Sequence, residues 1–201
     1  MENIIKQSAI DFSKKTENIQ TIIIAILAFL IPTFLAQLIN GIFGTDSVIT
    51  SNSQIIVGSV VNTILVITAL NLKGWDKTIF VVTMPSISTI MSGYVFKSSS
   101  VYMIWMIPAI WIGNFALIYA FKYIMIAKEK NYFIAAIIGI ICKVAIIFGF
   151  FMILNALNVF PGKMVQNLQK AMSIIQLITA TIGCLIAFII FKIEQQKNKQ
   201  E

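Results

Sequence analysis

Six apolar runs divide the chain, at residues 20–40, 54–72, 77–96, 102–121, 131–157 and 171–191, with only short polar connections between them. A bilayer core about 30 Å thick takes about 20 residues of helix to cross, and a soluble core has no use for so many runs of that length. The composition agrees: 58% of the residues are hydrophobic and 11% charged, where a soluble domain is usually about half apolar or less. The runs are continuously apolar and lack the period-two alternation of barrel strands, so helices are expected. The sequence therefore predicts an all-α integral membrane protein, a six-transmembrane-helix bundle. Residues 20–191 form the membrane domain, flanked by a segment at 1–19 and a tail at 192–201.

Orientation follows from the lysines, because positive charge near span ends favours the cytoplasmic side. With the N-terminus inside, the cytoplasmic segments hold Lys6, Lys14, Lys15, Lys73, Lys77, Lys122, Lys128, Lys130, Lys192, Lys197 and Lys199, and the opposite side holds Lys97, Lys163 and Lys170. Both termini are expected in the cytoplasm, as an even number of spans requires, with the chain multi-pass in the cell membrane and in contact with its lipid. The net charge of +7 is then a topology signal. No arginine or concentrated basic face points to nucleic acid. The first residues read as an uncleaved cytoplasmic segment. Ile4, Ile5, Ala9 and Phe12 beside Lys6, Lys14 and Lys15 suit either an interfacial helix or an unstructured tail.

Several chemistries are disfavoured. There is no histidine, Cys142 and Cys184 fall inside apolar runs, and the eight carboxylates fall between or beyond the runs, so neither a metal cluster nor an acid–base pair is visible. The serine run 98–100 has no histidine partner and reads as a turn. No cofactor and no enzyme activity are expected.

The polar residues within the runs carry what functional signal there is. Lys143 lies about twelve residues from one end of its run and about fourteen from the other, hence about 18–21 Å from either interface, too far to snorkel. Charges at such depth are retained for pairing, for a pathway or for a ligand. Backbone carbonyls, water, Asp46 folding inward or an anionic group on a ligand are its candidate partners. The third run, with Thr83, Ser86, Ser88, Thr89, Ser92 and Gly93 around Pro85, is too polar to face lipid and is expected at the centre. Pro32, Pro85 and Pro108 all fall within runs, where proline can kink a helix.

The outer halves of the runs gather Gln37, Asn40, Asn62, Tyr94, Lys97, Trp105, Trp111, Asn155, Asn158 and Gln176. Rings with amides suit a pocket for a small, polar or anionic, partly aromatic solute, although Tyr94 and Trp105 fit an interfacial belt equally well. Asn62 and Asn155 stand out because amides inside apolar runs must find partners. Lys143, Asn62, Trp111, Asn155, Tyr94, Asn40 and Gln176 form the candidate substrate-binding set. Small residues recur at Ala109, Gly113, Ala116 and Ala120, and again at Ser173, Gln176, Ala180, Gly183 and Ala187, rows that let helices approach closely within one bundle or against a second protein.

Six short-looped helices, termini inside and a polar outward half together resemble the substrate-binding S-component of energy-coupling factor transporters. The resemblance covers the whole chain and is architectural. It implies a small membrane subunit that captures a vitamin-like micronutrient from outside and delivers it through a separate transmembrane coupling subunit driven by two ATPases. It also implies partner docking by spaced alanines of the first helix. Here these are Ala25, Ala28 and Ala36, at steps of three and eight rather than four. On the same resemblance, residues 41–53, beginning Gly41-Ile42-Phe43-Gly44, would be a lid, and residues 92–100 and 158–170 would complete the walls. No glycine-rich phosphate loop is present, so energy would come from the partner. A self-sufficient transporter or channel and a noncatalytic scaffold are the competing classes.

The lysine distribution yields a direct test. Cysteine probes at Thr45, Ser99 or Lys163 should react with an impermeant label applied outside cells, and probes at Gly74 or Glu129 should not; the reverse pattern would invert the orientation.

Overall fold

In a computed structural model, residues 4, 7–9, 14–44, 47–93 and 100–197 are described, and they form helices with no strand among them. Helix α1 is Lys14–Phe43, followed by the single turn α2, Val48–Ser51, on which Ser47 Oγ accepts the Thr50 N–H at 3.0 Å. Then come α3, Ser53–Asn71, and α4, Trp75–Ser92. The short α5, Ser100–Met103, runs through a 3-10 turn at Ile104–Met106 into α6, Ile107–Ala120, which continues as a π-helical segment, Phe121–Ala127. Helices α7, Tyr132–Ala156, α8, Gly162–Met172, and α9, Ile174–Lys197, complete the chain. The 30 residues of α1 span about 45 Å at 1.5 Å per residue, enough for a bilayer with a turn to spare.

Among the described residues, five helical stretches are long and apolar enough to cross a membrane: Lys15–Phe43, Ser53–Asn71, Val101–Ala127, Tyr132–Ala156 and Gly162–Lys197. The third predicted run, now α4, is not among them, because Asp76 and Lys77 occupy its first turn and its remainder is rich in hydroxyls. Its polarity is spent inside the bundle. Thr78, Ser86, Ser88 and Thr89 are buried, and Ser88 Oγ is 2.7 Å from Thr33 Oγ1 of α1. Elsewhere the outer surface is apolar, with Ile22, Ile26, Leu30 and Phe34 of α1, Ile137 and Ile141 of α7, and Leu185 and Ile189 of α9 all exposed. Such a mantle belongs in lipid, where every helix satisfies its own backbone.

Glycine contacts set the helix spacing. A Cβ on Gly183 of α9 would lie 2.5 Å from Asn62 Cβ and 2.8 Å from the Ser59 carbonyl oxygen of α3, and one on Gly58 would lie 2.9 Å from Thr179 Cγ2. Thr63 Oγ1 also donates to the Gly183 carbonyl at 3.2 Å. Helices α6 and α7 close in the same way, Gly113 against Ile147 and Gly139 against Leu117. Both small-residue rows therefore pack within the chain.

Two expectations are corrected by this packing. Ala25, Ala28 and Ala36 are buried in the bundle, the first two among Ile64, Leu72 and Val81, so the alanine face of α1 is closed to a partner. Residues 158–170 are largely helix rather than loop, because Leu168, Ala171 and Met172 give α8 one apolar face that packs near Met103, Met106, Phe151 and Phe160. Pro108 lies within the span Val101–Ala127, directly after the 3-10 turn at Ile104–Met106, where the Ile107 N–H bonds the Ile104 carbonyl.

The end of the bundle where α1 begins is knitted by charge. Glu17 Oε1 accepts the Lys73 N–H at 2.7 Å and pairs with Lys77 Nζ at 3.0 Å. Lys122, fully buried, donates to the carbonyls of Leu72 at 2.7 Å and Gln7 at 2.8 Å, and the Ala9 N–H reaches the Leu70 carbonyl at 2.7 Å. Two readings change here. Lys122 is interior rather than a loop charge, and the membrane helix begins at Lys14 rather than residue 20, with Gln7 and Ala9 tied to the end of α3. Ile5 and Phe12 lie outside the described residues.

Gly183→Ala should lower thermal stability by about 1–3 kcal/mol, the usual cost of overpacking, whereas Gly149→Ala, with nothing within 4 Å, should be near neutral. Thermal unfolding in detergent checks the pair; equal melting temperatures would remove this contact as the spacer of α3 and α9.

Candidate functional site

Lys143 lies mid-way along α7 and is 2% exposed. Its backbone carbonyl would be 3.2 Å from a Cβ at Gly113, so the absence of that carbon brings α6 against α7 at this level. The ammonium donates to Asn62 Oδ1 of α3. Asn62 is held in turn: its Nδ2 donates to the Gly58 carbonyl at 2.8 Å and to Thr179 Oγ1 of α9 at 3.3 Å, and Thr179 Oγ1 donates to the Gln176 carbonyl at 3.2 Å. These partners fix the orientation of the amide. Flipping it would set an NH2 group against the ammonium and an oxygen against a carbonyl.

This chain from Lys143 to Gln176 borders a cleft on the half of the bundle where α3 and α9 start and α4 ends. Gln54, Asn62, Asn114, Lys143 and Gln176 supply amides and a cation, Ser86 and Thr89 supply hydroxyls, and Val57, Val61, Pro85 and Ile110 supply an aliphatic wall. Empty space in the cleft and at its open mouth totals about 510 Å³, but only about 70 Å³ admits the centre of a water-sized molecule. The smaller figure governs what fits without rearrangement: a few waters or a short solute.

The electrostatics are one-sided. Asn62 satisfies one of the three ammonium donors and carries no charge, and no carboxylate is among the described residues bordering the cleft. Glu17 belongs to the charged cluster at the other end of the bundle, and Asn71 Nδ2 there reaches Glu194 Oε2 at 3.4 Å. Asp46, considered above as a counter-ion, lies outside the described residues. A buried cation with a neutral partner favours an incoming anion, since its desolvation is already part of the folded state.

Of the predicted set, the structure brings together Lys143, Asn62 and Gln176. Trp111 is half-buried against the cluster containing Leu65, Leu117 and Tyr132, its Nε1 buried with no partner. Asn155, half-buried in the last turn of α7, uses its carbonyl to receive the Asn158 N–H at 2.9 Å. Asn40, near the end of α1, is likewise away from the cleft, its Oδ1 buried without a partner. Trp105 is exposed, and Tyr94 and Lys97 lie outside the described residues. The cleft thus has no aromatic ring among its described neighbours, contrary to the expectation of stacking.

Asn114, Gln54 and Thr179 were missed. Asn114 had a signal: it is an amide inside the apolar run of α6, the same criterion that singled out Asn62. Gln54 at the start of α3 and Thr179 within α9 had none. In comparisons with known proteins, no family model, no curated protein and no solved structure matches this chain.

The Lys143–Asn62 pair predicts unequal single substitutions. Asn62→Leu leaves the ammonium without an acceptor and should lower stability by about 1–3 kcal/mol, whereas Lys143→Met removes the charge and should be tolerated. Unfolding of both single variants and the double variant is the measurement, and the double variant should recover most of the loss. Additive losses would show that the two side chains do not interact.

Proposed function

We propose that this chain is a multi-pass solute-binding subunit of the cell membrane, taking a small polar or anionic solute from outside into the cleft floored by Lys143. The observation that carries the reading is the buried ammonium, hydrogen-bonded to a neutral amide at the end of a cleft otherwise bordered by amides, hydroxyls and aliphatic side chains. A purely structural role for that charge would be better served by a carboxylate or by an apolar side chain.

With six crossings, α4 being a polar sixth helix packed against α1 and α6, and with both termini in the cytoplasm, the cleft would open on the outward half. The lysine distribution supports this orientation. The sequence carries no phosphate-binding loop, and among the described residues one lysine is the charged group bordering the cleft, so neither nucleotide hydrolysis nor proton coupling has an evident seat there. Uptake would be driven by a separate membrane subunit with two ATPases, in the manner of energy-coupling factor transporters. Because Ala25, Ala28 and Ala36 are buried, that subunit would dock on another face.

Mass spectrometry of small molecules released from gently purified protein tests the binding role. A solute should accompany the native chain and be depleted from Lys143→Met, whose affinity should fall about 10- to 150-fold for the loss of one charge-assisted hydrogen bond. Equal retention by folded Lys143→Met would make the lysine structural. Reconstituted alone in liposomes, the chain should bind without concentrating its solute; ion-driven accumulation would instead establish a self-sufficient transporter.

A further inference from the structure

The chemistry around Lys143 narrows the solute class beyond a polar or anionic molecule. Among the described residues, one cation borders the cleft and the remaining polar groups there are neutral. A monoanion is therefore matched in charge, whereas a dianion such as a phosphate monoester would enter with surplus charge that no described residue of the cleft offsets. The ammonium can offer its remaining donors to a second acceptor, and a carboxylate, with two oxygens, suits a site where Asn62 Oδ1 already takes one donor.

The rest of the molecule is constrained by the walls. Branched aliphatic side chains and a proline, Val57, Val61, Ile110 and Pro85, form the apolar side with no ring to stack upon, and Ser86 and Thr89 approach from α4. With about 70 Å³ open to the centre of a water-sized molecule, the cleft suits a short solute.

We propose that the cleft selects a small aliphatic monocarboxylate, its carboxylate accepting from Lys143 Nζ beside Asn62 and its body lying along Val57, Val61, Pro85 and Ile110. This rests on the solute-binding reading above and names the substrate class of the same site. Asn62 is the specificity-determining neighbour: as a neutral amide it steadies the ammonium without neutralising it, leaving the charge available to the solute.

The test uses the full chain in lipid nanodiscs and titration calorimetry with butyrate, isovalerate and α-hydroxyisovalerate, against butyramide, isovaleramide, benzoate and inorganic phosphate. The aliphatic carboxylates should bind at least about tenfold more tightly than their amides and than benzoate or phosphate. Asn62→Asp, nearly isosteric, sets an internal carboxylate beside Lys143; it should keep or raise the melting temperature while weakening carboxylate binding at least about tenfold. That readout separates charge competition from misfolding. Equal affinity for acid and amide, undiminished binding by Asn62→Asp, preference for benzoate or phosphate, or no binding of any probe by the native chain would each overturn the monocarboxylate. In those cases a different solute released from native protein and missing from Lys143→Met would leave the binding role standing, and its retention by Lys143→Met would remove both.

Discussion

The close approach of α3 and α9 is the constraint on which the centre of this molecule depends. Gly183 gives up a side chain so that Asn62 can lie against the α9 backbone, and Gly58 does the same for Thr179. Without that proximity Thr179 Oγ1 could not receive Asn62 Nδ2, and the amide oxygen would not be held towards Lys143. In lipid there is little hydrophobic force between helices, so backbone proximity and the hydrogen bonds it permits do much of the ordering. The same contacts therefore set the helix spacing and aim the polar groups of the cleft.

Helix α4 shows how a segment too polar for lipid is accommodated. Its first turn carries Asp76 and Lys77, and Lys77 pairs with Glu17 at the end of the bundle. Further along, Ser88 meets Thr33 of α1, while Ser86 and Thr89 turn to the cleft. On its outer face α4 exposes Ile79, Phe80 and Met91, so its apolar side chains meet lipid while its hydroxyls turn inward where a solute site needs them. Trp75, stacked on Phe115 at 4.9 Å, fixes the start of this helix against α6.

Much of the architecture was legible because depth in a membrane is written in the sequence as distance from the ends of an apolar run. That logic found five of the helices that can span a bilayer and the depth of Lys143, but not the centre of the bundle, which is α3 rather than the polar α4, whose Ile79, Phe80 and Met91 are exposed. It does not report azimuth. Asn62 and Asn155 looked alike as amides in apolar runs, yet one faces Lys143 and the other ends α7, half-buried. Ala25 and Ala28 marked a close contact, but the sequence did not say whether the neighbour was α4 or another protein. The apolar positions of α8 were too few and too widely spaced to register as a run, although Leu168, Ala171 and Met172 suffice to seat an amphipathic helix. Side-chain partners follow from helix rotation, and rotation is decided by contacts between runs distant in sequence.

The two buried lysines illustrate the difference between a charge the fold uses up and one it leaves available. Lys122 emerges from the π-helical segment at the point where α3 ends, and it donates to the Leu72 carbonyl just past the last turn and to the carbonyl of Gln7. The C-terminus of a helix carries partial negative charge and unsatisfied carbonyls, so a cation there is matched by the backbone itself. Lys143 has no helix end beside it. It lies in the middle of α7 and meets the side-chain oxygen of Asn62 part-way along α3, with empty space next to it and no carboxylate among the described residues bordering that space. Both lysines pay the desolvation of burial, but only the charge of Lys122 is answered by a feature the fold must contain anyway. Asymmetry of this kind, a buried charge answered by an uncharged dipole and opening on a polar cleft, separates a site from a structural cap more sharply than burial or depth alone.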